Sequence, residues 1–171
     1  DYRKSMSAHK TQGGGVMLDL VHEFDYINWL LGPIRSISGK NGKISNLEID
    51  TEDVSVNIIE TISGALGTLH LDYLQCELSR SCKVIGDEGV IVWDYNNSTV
   101  KFMSHQDRVW LTHDFSEYKR NDRFIDIMET FMASSKEVND DRLVNFKDAI
   151  KSIELVELSK EANIHNYMVS L

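Results

Sequence analysis

A histidine and several carboxylates follow a run of three glycines near the start of the chain, in the segment GGGVMLDLVHEFDYINWLLG. Asp19 and His22 are three residues apart, as are His22 and Asp25, so on a helix each pair would be neighbours on one face. A carboxylate beside an imidazole fixes its tautomer and suits it to proton transfer near neutral pH. The pattern therefore predicts general acid–base chemistry at His22.

The helix that must position these residues is predicted from Val16 to Leu31, where Gly32-Pro33 ends it. At about 100° per residue, its apolar residues fall on one arc and its polar residues on the other. The arc expected to face the core holds Val16, Met17, Leu20, Val21, Phe24, Ile27 and Leu31. The opposite side holds Gly15, Asp19, His22, Tyr26 and Trp29, with Glu23 and Asp25 at its edges. The candidates for chemistry are thus expected to face away from the core.

Three glycines, Gly13, Gly14 and Gly15, come directly before this helix. Their backbone can approach a ligand closely, and a helix N-terminus favours negative charge, so they are candidates for backbone contact with a cofactor. Upstream, Arg3 and Lys10 could meet a substrate carboxylate or phosphate. The alternative interpretation of the glycines is a flexible joint, and that of Arg3 and Lys10 is solvated surface charge.

After residue 33 the pattern changes to short alternating runs that end in turn sequences, which is typical of strands. The predicted strands are Ile34–Ser38, Asp53–Thr61, Ala65–Gln75, Ser79–Ile85, Gly89–Tyr95, Thr99–Met103 and Val109–Phe115. Residues 1–12 are polar and aperiodic, and they are predicted to be an extended lead-in.

Helical spacing returns in two segments near the end of the chain. Asp122–Ser134 would place Phe124, Ile127, Met128 and Phe131 on one stripe, and Asn145–Ala162 would place Phe146, Ala149, Ile150 and Ile153 on one face. The order predicts an α+β fold, a two-layer domain with an open, mostly antiparallel (mixed) β-sheet that helices cover on one face.

The strand Ala65–Gln75 alternates Leu69, Leu71 and Tyr73 against Thr68, His70 and Asp72. Its two faces differ, so at most one of Tyr73 and His70 can face a site, and Tyr73 is a candidate for substrate contact. Sheet packing or an interface is the alternative for both. The uncovered face of the sheet is expected to meet solvent or a second subunit in a homodimer or homotetramer.

The composition narrows the classes of partner. The chain has 171 residues and a formal net charge of −9, a balance that disfavours nucleic acid and anionic membranes as partners. No run approaches the ~20 apolar residues of a membrane helix. Cys76 and Cys82 lack a metal-ligand pattern, so two free thiols, no metal and a cytoplasmic location are expected.

The glycine–histidine segment resembles the glucose–fructose oxidoreductase / inositol dehydrogenase (Gfo/Idh/MocA) family, and the segments DYRKSMSA, LGTLHLDYLQ and KVIGDEGVIVWD are similar to it as well. The resemblance implies a hydride transfer between a sugar or sugar-derivative hydroxyl and NAD or NADP. It implies His22 as general acid/base, Asp19 as its catalytic partner and Asp25 as a ligand of substrate hydroxyls. Many members space the first pair as Asp-x-x-x-His, one residue more than here.

The sequence contains no G-x-G-x-x-G fingerprint and no Glu-Lys-Pro motif, which family members carry in their nucleotide-binding domain. Residues 1–171 are therefore expected to be a single C-terminal domain for substrate binding, catalysis and oligomerisation. An N-terminal Rossmann domain, absent from this sequence, would bind the cofactor, and the piece alone would be inactive. One alternative is a non-catalytic oligomerisation or ligand-sensing domain. Another is a metal-dependent hydrolase that uses Asp19, His22 and Asp25, which is disfavoured because these residues supply only one imidazole and zinc sites usually have more His or Cys ligands.

Overall fold

The structure is a computed structural model that describes residues 1–134, 143–165 and 169–170. The chain divides into two units, Asp1–Leu74 with Val144–Leu171, and Gln75–Leu143. Each unit contains a four-stranded sheet, and every strand pair within the described residues is antiparallel. The α+β prediction is confirmed, with two antiparallel sheets in place of one mixed sheet.

The helices and strands are numbered in chain order. The helices are α1 (Val16–Asp19), α2 (Val21–Leu31), α3 (Asp122–Ser134) and α4 (Phe146–His165). The strands are β1 (Ile34–Gly42), β2 (Val54–Thr61), β3 (Leu66–Asp72), β4 (Ser81–Gly86), β5 (Gly89–Asp94), β6 (Thr99–Ser104), β7 (Trp110–Asp114) and β8 (Val169–Ser170).

The lead-in, residues 1–12, was predicted to be extended, and this prediction is wrong. It forms three single-turn 3-10 helices, Tyr2–Lys4, Met6–Ala8 and Lys10–Gln12. Each turn closes on a local backbone hydrogen bond, as when the N–H of Ser5 donates to the carbonyl of Tyr2 at 3.0 Å. Such local bonds leave no periodic side-chain pattern, which explains why these turns could not be predicted from the sequence.

The helix predicted as one element from Val16 to Leu31 is interrupted at Leu20. Leu20 has φ −107° and ψ 29°, and it ends α1 while it begins α2. Its N–H still donates to the Val16 carbonyl at 3.1 Å, and its own carbonyl accepts from the N–H of Glu23 at 2.9 Å. The break removes the continuous helical register on which the predicted pairing of Asp19 with His22 rested.

Four of the seven residues on the predicted arc are buried, three are partly buried, and one residue outside the arc is buried as well. Val16, Met17, Phe24 and Ile27 are buried, as expected. Leu20, Val21 and Leu31 are only partly buried. Glu23, expected at the edge of the polar side, is buried at 6% exposure.

The sheet of the first unit has the strand order β3-β2-β1-β8, and helices cover one of its faces. α4 packs against β1, and α2 packs against α4. The core between the layers includes Ile34, Ile37, Ile59, Leu69, Leu71, Leu155 and Val156. The predicted alternation of β3 is confirmed, since Leu69 and Leu71 are buried and His70 is exposed. The other face of the sheet exposes Val56, Ile58 and Leu66.

The prediction of the buried face of α4 is wrong. The face that packs holds Ser152, Leu155, Val156, Ser159 and Ala162, whereas Phe146, Ile150 and Ile153 are exposed. Hydrogen bonds make this possible, because a buried hydroxyl with a partner costs little. The Ser159 hydroxyl donates to the Asn57 side-chain oxygen at 2.6 Å, inside the core.

The second unit contains the sheet β4-β5-β6-β7 and α3. The bounds of α3 agree with the prediction. Its apolar stripe does not meet a core, since the side chains on it are 54–59% exposed: Phe124, Ile127, Met128 and Phe131. In the part of the chain that the structure describes, every helix is too short or too polar to cross a membrane.

Candidate functional site

The glycine run is required by the backbone around it. Gly13 adopts φ 78° and Gly15 φ 114°, conformations that side-chain-bearing residues rarely adopt. A Cβ added at Gly14 would lie 2.4 Å from the Met6 carbonyl oxygen, and one added at Gly15 would lie 2.2 Å from Oε1 of Glu52. All three positions therefore have structural reasons to be glycine.

The N–H groups of this turn are already bound within the chain. Those of Gly13, Gly14 and Gly15 donate to the carbonyls of Lys10, His9 and Ser7, at 3.0–3.1 Å. The N–H of Val16 donates to the Glu52 carbonyl at 3.1 Å, and that of Met17 to the Glu52 carboxylate at 3.4 Å. A carboxylate of the chain itself thus lies at the start of α1, the position where a helix favours negative charge. The predicted backbone contact of these glycines with a cofactor stays a prediction.

Asp19 and Tyr73 are brought together by the fold. The Tyr73 hydroxyl donates to Oδ2 of Asp19 at 3.2 Å, and Asp19 itself is exposed. Burial, followed by the charge of Asp19 and the hydrogen bond to it, raises the pKa of Tyr73 well above its ordinary value, against a smaller opposing effect of the Ser7 hydroxyl. Tyr73 is therefore a neutral hydrogen-bond donor throughout the physiological range.

His22 pairs with Glu23, and neither Asp19 nor Asp25 is its partner. Its Nε2 lies 3.1 Å from Oε1 of Glu23, and the His22 side chain is 52% exposed while that of Glu23 is 8% exposed. The expected pairing with an aspartate fails because the break at Leu20 separates Asp19 from α2 and because Asp25 has another partner. The imidazole nevertheless lies beside a carboxylate and is accessible, as general acid–base chemistry requires.

Asp25 faces α4. Its Oδ1 accepts a hydrogen bond from the Ser152 hydroxyl at 2.9 Å, and Ser152 also donates to the Asp148 carbonyl one turn earlier. Asp25 therefore joins α2 to α4 in the structure. Its predicted role as a ligand of substrate hydroxyls stays a prediction.

The two upstream cations have different surroundings. Arg3 is ion-paired with Asp1 at 2.8 Å and with Glu48 at 2.9 Å, all at the surface. The side chain of Lys10 is exposed, and its backbone N–H donates to the Asp50 carboxylate. The structure does not bring either side chain into contact with Asp19, His22 or Asp25.

Two residues of the site were missed from the sequence. Glu23 had a usable signal, since it directly follows His22, but the helical-face argument placed it at the edge of the polar side. Glu52 had none, because it lies 33 residues after Asp19 in a loop. It reaches α1 only through the tertiary fold.

The structure also bears on metal and thiol chemistry. Within residues 1–134, 143–165 and 169–170, no group of three or more His, Cys, Asp or Glu side chains could hold a metal ion. Cys76 and Cys82 are both free thiols.

Solved structures with the same fold are oxidoreductases whose chains are about twice as long as this one. Levoglucosan dehydrogenase, in a complex with NADH and levoglucosan, superposes with a TM-score of 0.87 at 16% identity, over 98% of this chain and 53% of that chain. Aldose-aldose oxidoreductase from Caulobacter crescentus, complexed with glycerol, superposes with a TM-score of 0.82 at 16% identity, over 98% of this chain and 51% of that chain. The WlbA dehydrogenase from Bordetella pertussis, in complex with NADH and UDP-GlcNAcA, superposes with a TM-score of 0.65 at 17% identity, over 92% of this chain and 46% of that chain.

The chain spans about half the length of these structures, and at these identities the likeness shows the fold alone. Comparison with the curated proteins gives no match. The family model described as "Oxidoreductase family, C-terminal alpha/beta domain" matches residues 3–171, nearly the whole chain. The chain belongs to the Gfo/Idh/MocA oxidoreductase family, whose C-terminal alpha/beta domain it represents.

Proposed function

We propose that this domain supplies the acid–base and substrate-binding groups of an oxidoreductase that moves hydride between a sugar-type hydroxyl and NAD or NADP. His22 takes the hydroxyl proton as general base and returns it as general acid. The single observation that carries the proposal is the environment of His22, whose side chain is half exposed and whose Nε2 lies 3.1 Å from a carboxylate oxygen of Glu23.

Asp19 and Tyr73 form the second part of the proposed site. Asp19 is exposed and its carboxylate is held by the Tyr73 hydroxyl. An ionised carboxylate in this position can accept hydrogen bonds from substrate hydroxyls. Asp25 binds substrate in this proposal only if its second oxygen is used, because the first accepts from Ser152. Arg3 and Lys10 would contribute positive charge at the periphery.

The cofactor is proposed to bind outside this chain. The glycine turn offers no unbound N–H group, and Glu52 places negative charge at the start of α1. Neighbouring structures contain NAD or NADH and are about twice as long as this chain. An N-terminal Rossmann domain of the full-length protein is therefore the proposed site for the nicotinamide cofactor.

The substrate class rests on the fold and on the hydroxyl-binding groups of the site. The neighbouring proteins were solved with levoglucosan and with UDP-GlcNAcA, and a sugar or sugar derivative is the class we propose here. We also propose that the chain self-associates through the open face of the sheet in the first unit. The two free cysteines support a cytoplasmic location.

A second candidate function has one observation in its favour. Asp19 and Asp25 both accept hydrogen bonds from groups of the chain itself, as they would in a domain that kept the fold and lost the reaction. Such a domain would serve oligomerisation or ligand sensing.

The deciding experiment is steady-state kinetics of the full-length protein with His22→Ala, and with His113→Ala, another exposed histidine, as matched control. Loss of a positioned general base lowers the rate by about 10²- to 10⁴-fold. We expect this loss in His22→Ala, normal turnover in His113→Ala and unchanged melting in both. Near-normal kcat in His22→Ala would favour the non-catalytic domain.

A further inference from the structure

We infer that Tyr73 is a positioning residue, whose hydroxyl fixes the carboxylate of Asp19, and that Asp19 is the group that binds a substrate hydroxyl. This inference rests on the proposed function and deepens it, because the sequence predicted Tyr73 itself as a contact of the substrate. The structure joins the two side chains by a hydrogen bond from the Tyr73 hydroxyl to Oδ2 of Asp19 at 3.2 Å. Tyr73 thereby acts on the substrate only through Asp19.

The first argument is the single proton of the phenol hydroxyl. An ionised carboxylate can only accept hydrogen bonds, so the proton of this bond belongs to Tyr73. A neutral phenol has one O–H group, and while it donates to Asp19 it cannot also donate to a substrate. The two carboxylate oxygens offer about four lone-pair sites, and Asp19 is exposed. A substrate hydroxyl can therefore donate to Asp19 while Tyr73 stays bound to it.

The second argument is how firmly the fold holds Tyr73. Its backbone N–H donates to the carbonyl of Asp53 at 3.0 Å, directly after the end of β3. Its side chain is partly buried and packs against the core of the first unit. Burial, and then the charge of Asp19, raises the pKa of Tyr73, so the hydroxyl keeps its proton and remains a donor. The phenol is therefore a fixed support.

The third argument is the place of Asp19 in the chain. It is the last residue of α1, and the helix is interrupted at Leu20 directly after it. An exposed side chain at a helix end has several rotamers open to it, and each rotamer places the carboxylate differently. The hydrogen bond from Tyr73 favours one of these orientations. Ordering the carboxylate in advance lowers the entropy that substrate binding would otherwise cost.

Steady-state kinetics of the full-length protein tests the predicted division of roles, with NAD or NADP and with glucose, myo-inositol or levoglucosan as the sugar. Tyr73→Phe keeps the ring and removes the bond to Asp19. Because Asp19 would bind the substrate hydroxyl in the ground state and in the transition state alike, we expect KM to rise about 2- to 10-fold with kcat changed less. The matched control is Tyr118→Phe, since the Tyr118 hydroxyl donates to the carboxylate of Asp126 in the second unit.

A kinetic double-mutant cycle distinguishes action through Asp19 from direct contact with the substrate. In the first case, Tyr73→Phe lowers kcat/KM in the unmodified protein and has no further effect in Asp19→Ala. In the second case, the two losses multiply, and the inference is wrong. Calorimetric binding of the same sugar in the presence of NADH completes the same cycle without turnover. Thermal melts of the three variants show whether each one is folded.

A titration tests the contact independently of activity, in the full-length protein labelled with ¹³C at the hydroxyl-bearing carbon of tyrosine. Tyr73→Phe identifies the signal of Tyr73. Because the charge of Asp19 raises the pKa of Tyr73, Asp19→Ala should make Tyr73 ionise at lower pH. Asp126→Ala should leave Tyr73 unchanged and act on Tyr118 instead, whose pKa its hydrogen bond to Asp126 raises. The same titration of Tyr73 with and without Asp19 would overturn the inference.

The outcomes separate this inference from the proposed function. If His22→Ala loses activity while Tyr73→Phe has the KM and kcat of the unmodified protein, only the positioning role of Tyr73 fails. If His22→Ala keeps near-normal turnover, or if the full-length protein neither binds nor oxidises any of the three sugars, the proposed function fails. A raised KM in Tyr73→Phe that disappears in the Asp19→Ala background supports both.

Discussion

The hydroxyl of Tyr73 donates a hydrogen bond to the carboxylate of Asp19 across 3.2 Å, and this bond joins two residues that are 54 positions apart. Asp19 is the last residue of α1, and Tyr73 directly follows β3. The Tyr73 side chain also packs against the core of the first unit. The Tyr73 side chain thus packs against the core and also donates a hydrogen bond to an exposed carboxylate of the candidate site.

The strength of this hydrogen bond can be measured with a double-mutant cycle. Tyr73→Phe keeps the ring and removes the hydroxyl, and Asp19→Ala removes the acceptor. We expect a coupling free energy of about 0.5–1.5 kcal/mol, or up to about 3 kcal/mol because the acceptor is charged. Urea denaturation of the two single variants and the double variant gives this value. A coupling near zero would mean that the bond does not persist in solution.

Alkaline pH should weaken the fold through Tyr73. Burial and the Asp19 carboxylate raise the pKa of Tyr73 above its ordinary value, so the folded state favours the neutral phenol. This contribution is complete below the ordinary tyrosine pKa of about 10 and is lost as pH rises through the folded pKa. Thermal melts between neutral pH and pH ~11 should show a steeper decline in the unmodified chain than in Tyr73→Phe.

Acid should weaken the fold through Asp53. This carboxylate is fully buried and accepts hydrogen bonds from the hydroxyl and N–H of Ser45 and from the N–H of Ile44. Burial by itself would raise the pKa of Asp53, but these hydrogen bonds outweigh it and lower that pKa below the ordinary value. The stability it contributes is present above pH ~3.9 and is lost as pH falls through the folded pKa.

The variant that tests this is Asp53→Asn, with the exposed Asp87→Asn as control. At neutral pH, Asp53→Asn should cost about 1–3 kcal/mol, because an amide nitrogen would face groups that need an acceptor. The pH dependence of its unfolding free energy below pH ~4 should also be shallower. Equal acid sensitivity in Asp53→Asn and the unmodified chain would contradict the assignment.

Neighbouring glycines should differ in their tolerance of a side chain. An added Cβ at Gly13 would have no heavy atom within 4 Å, so Gly13→Ala pays only for its left-handed φ of 78°, about 1–2 kcal/mol. At Gly14 the Cβ would lie 2.4 Å from a backbone carbonyl oxygen that cannot rotate away. Gly14→Ala should therefore lower the melting temperature more than Gly13→Ala does. The reverse order would show that the turn can rearrange.

Self-association through the first sheet is the fifth expectation. Val56, Ile58 and Leu66 are 41–74% exposed on its open face, and apolar side chains grouped in this way favour an interface. Ile58→Lys should shift sedimentation toward the monomer and leave the melting of the monomer nearly unchanged. The control is Ile62→Lys, in the turn after β2, which is 68% exposed. A monomer at high micromolar concentration in the unmodified protein would contradict the expectation.

Local patterns in the sequence determined most of the secondary structure. Seven strands and α3 lie where alternation and helical spacing placed them, because a pleated strand and an amphipathic helix each impose a short period on the sequence. Gly13–Gly15 and the histidine with its flanking carboxylates were also recognisable as a unit, and they carried the family resemblance that the family model confirms.

The contacts of the candidate site depended on the tertiary structure. The Asp19 carboxylate meets Tyr73 because β3 lies beside α1, and Glu52 reaches the start of α1 across a loop. Neither contact leaves a periodic trace in the sequence, since residues far apart in the chain meet only when the layers pack.

The buried faces of α2 and α4 show the same limit most clearly. A hydrophobic pattern assumes that polar side chains stay in water, yet Glu23 is buried beside His22 and Ser159 is buried beside Asn57. Ser159 is tolerated because Asn57 accepts the hydrogen bond that water would otherwise accept, and the carboxylate of Glu23 lies 3.1 Å from the imidazole of His22. The sequence by itself predicted His22 as the residue for acid–base chemistry, and only the tertiary structure decided which carboxylate lies beside it, because that choice depends on where α2 is buried.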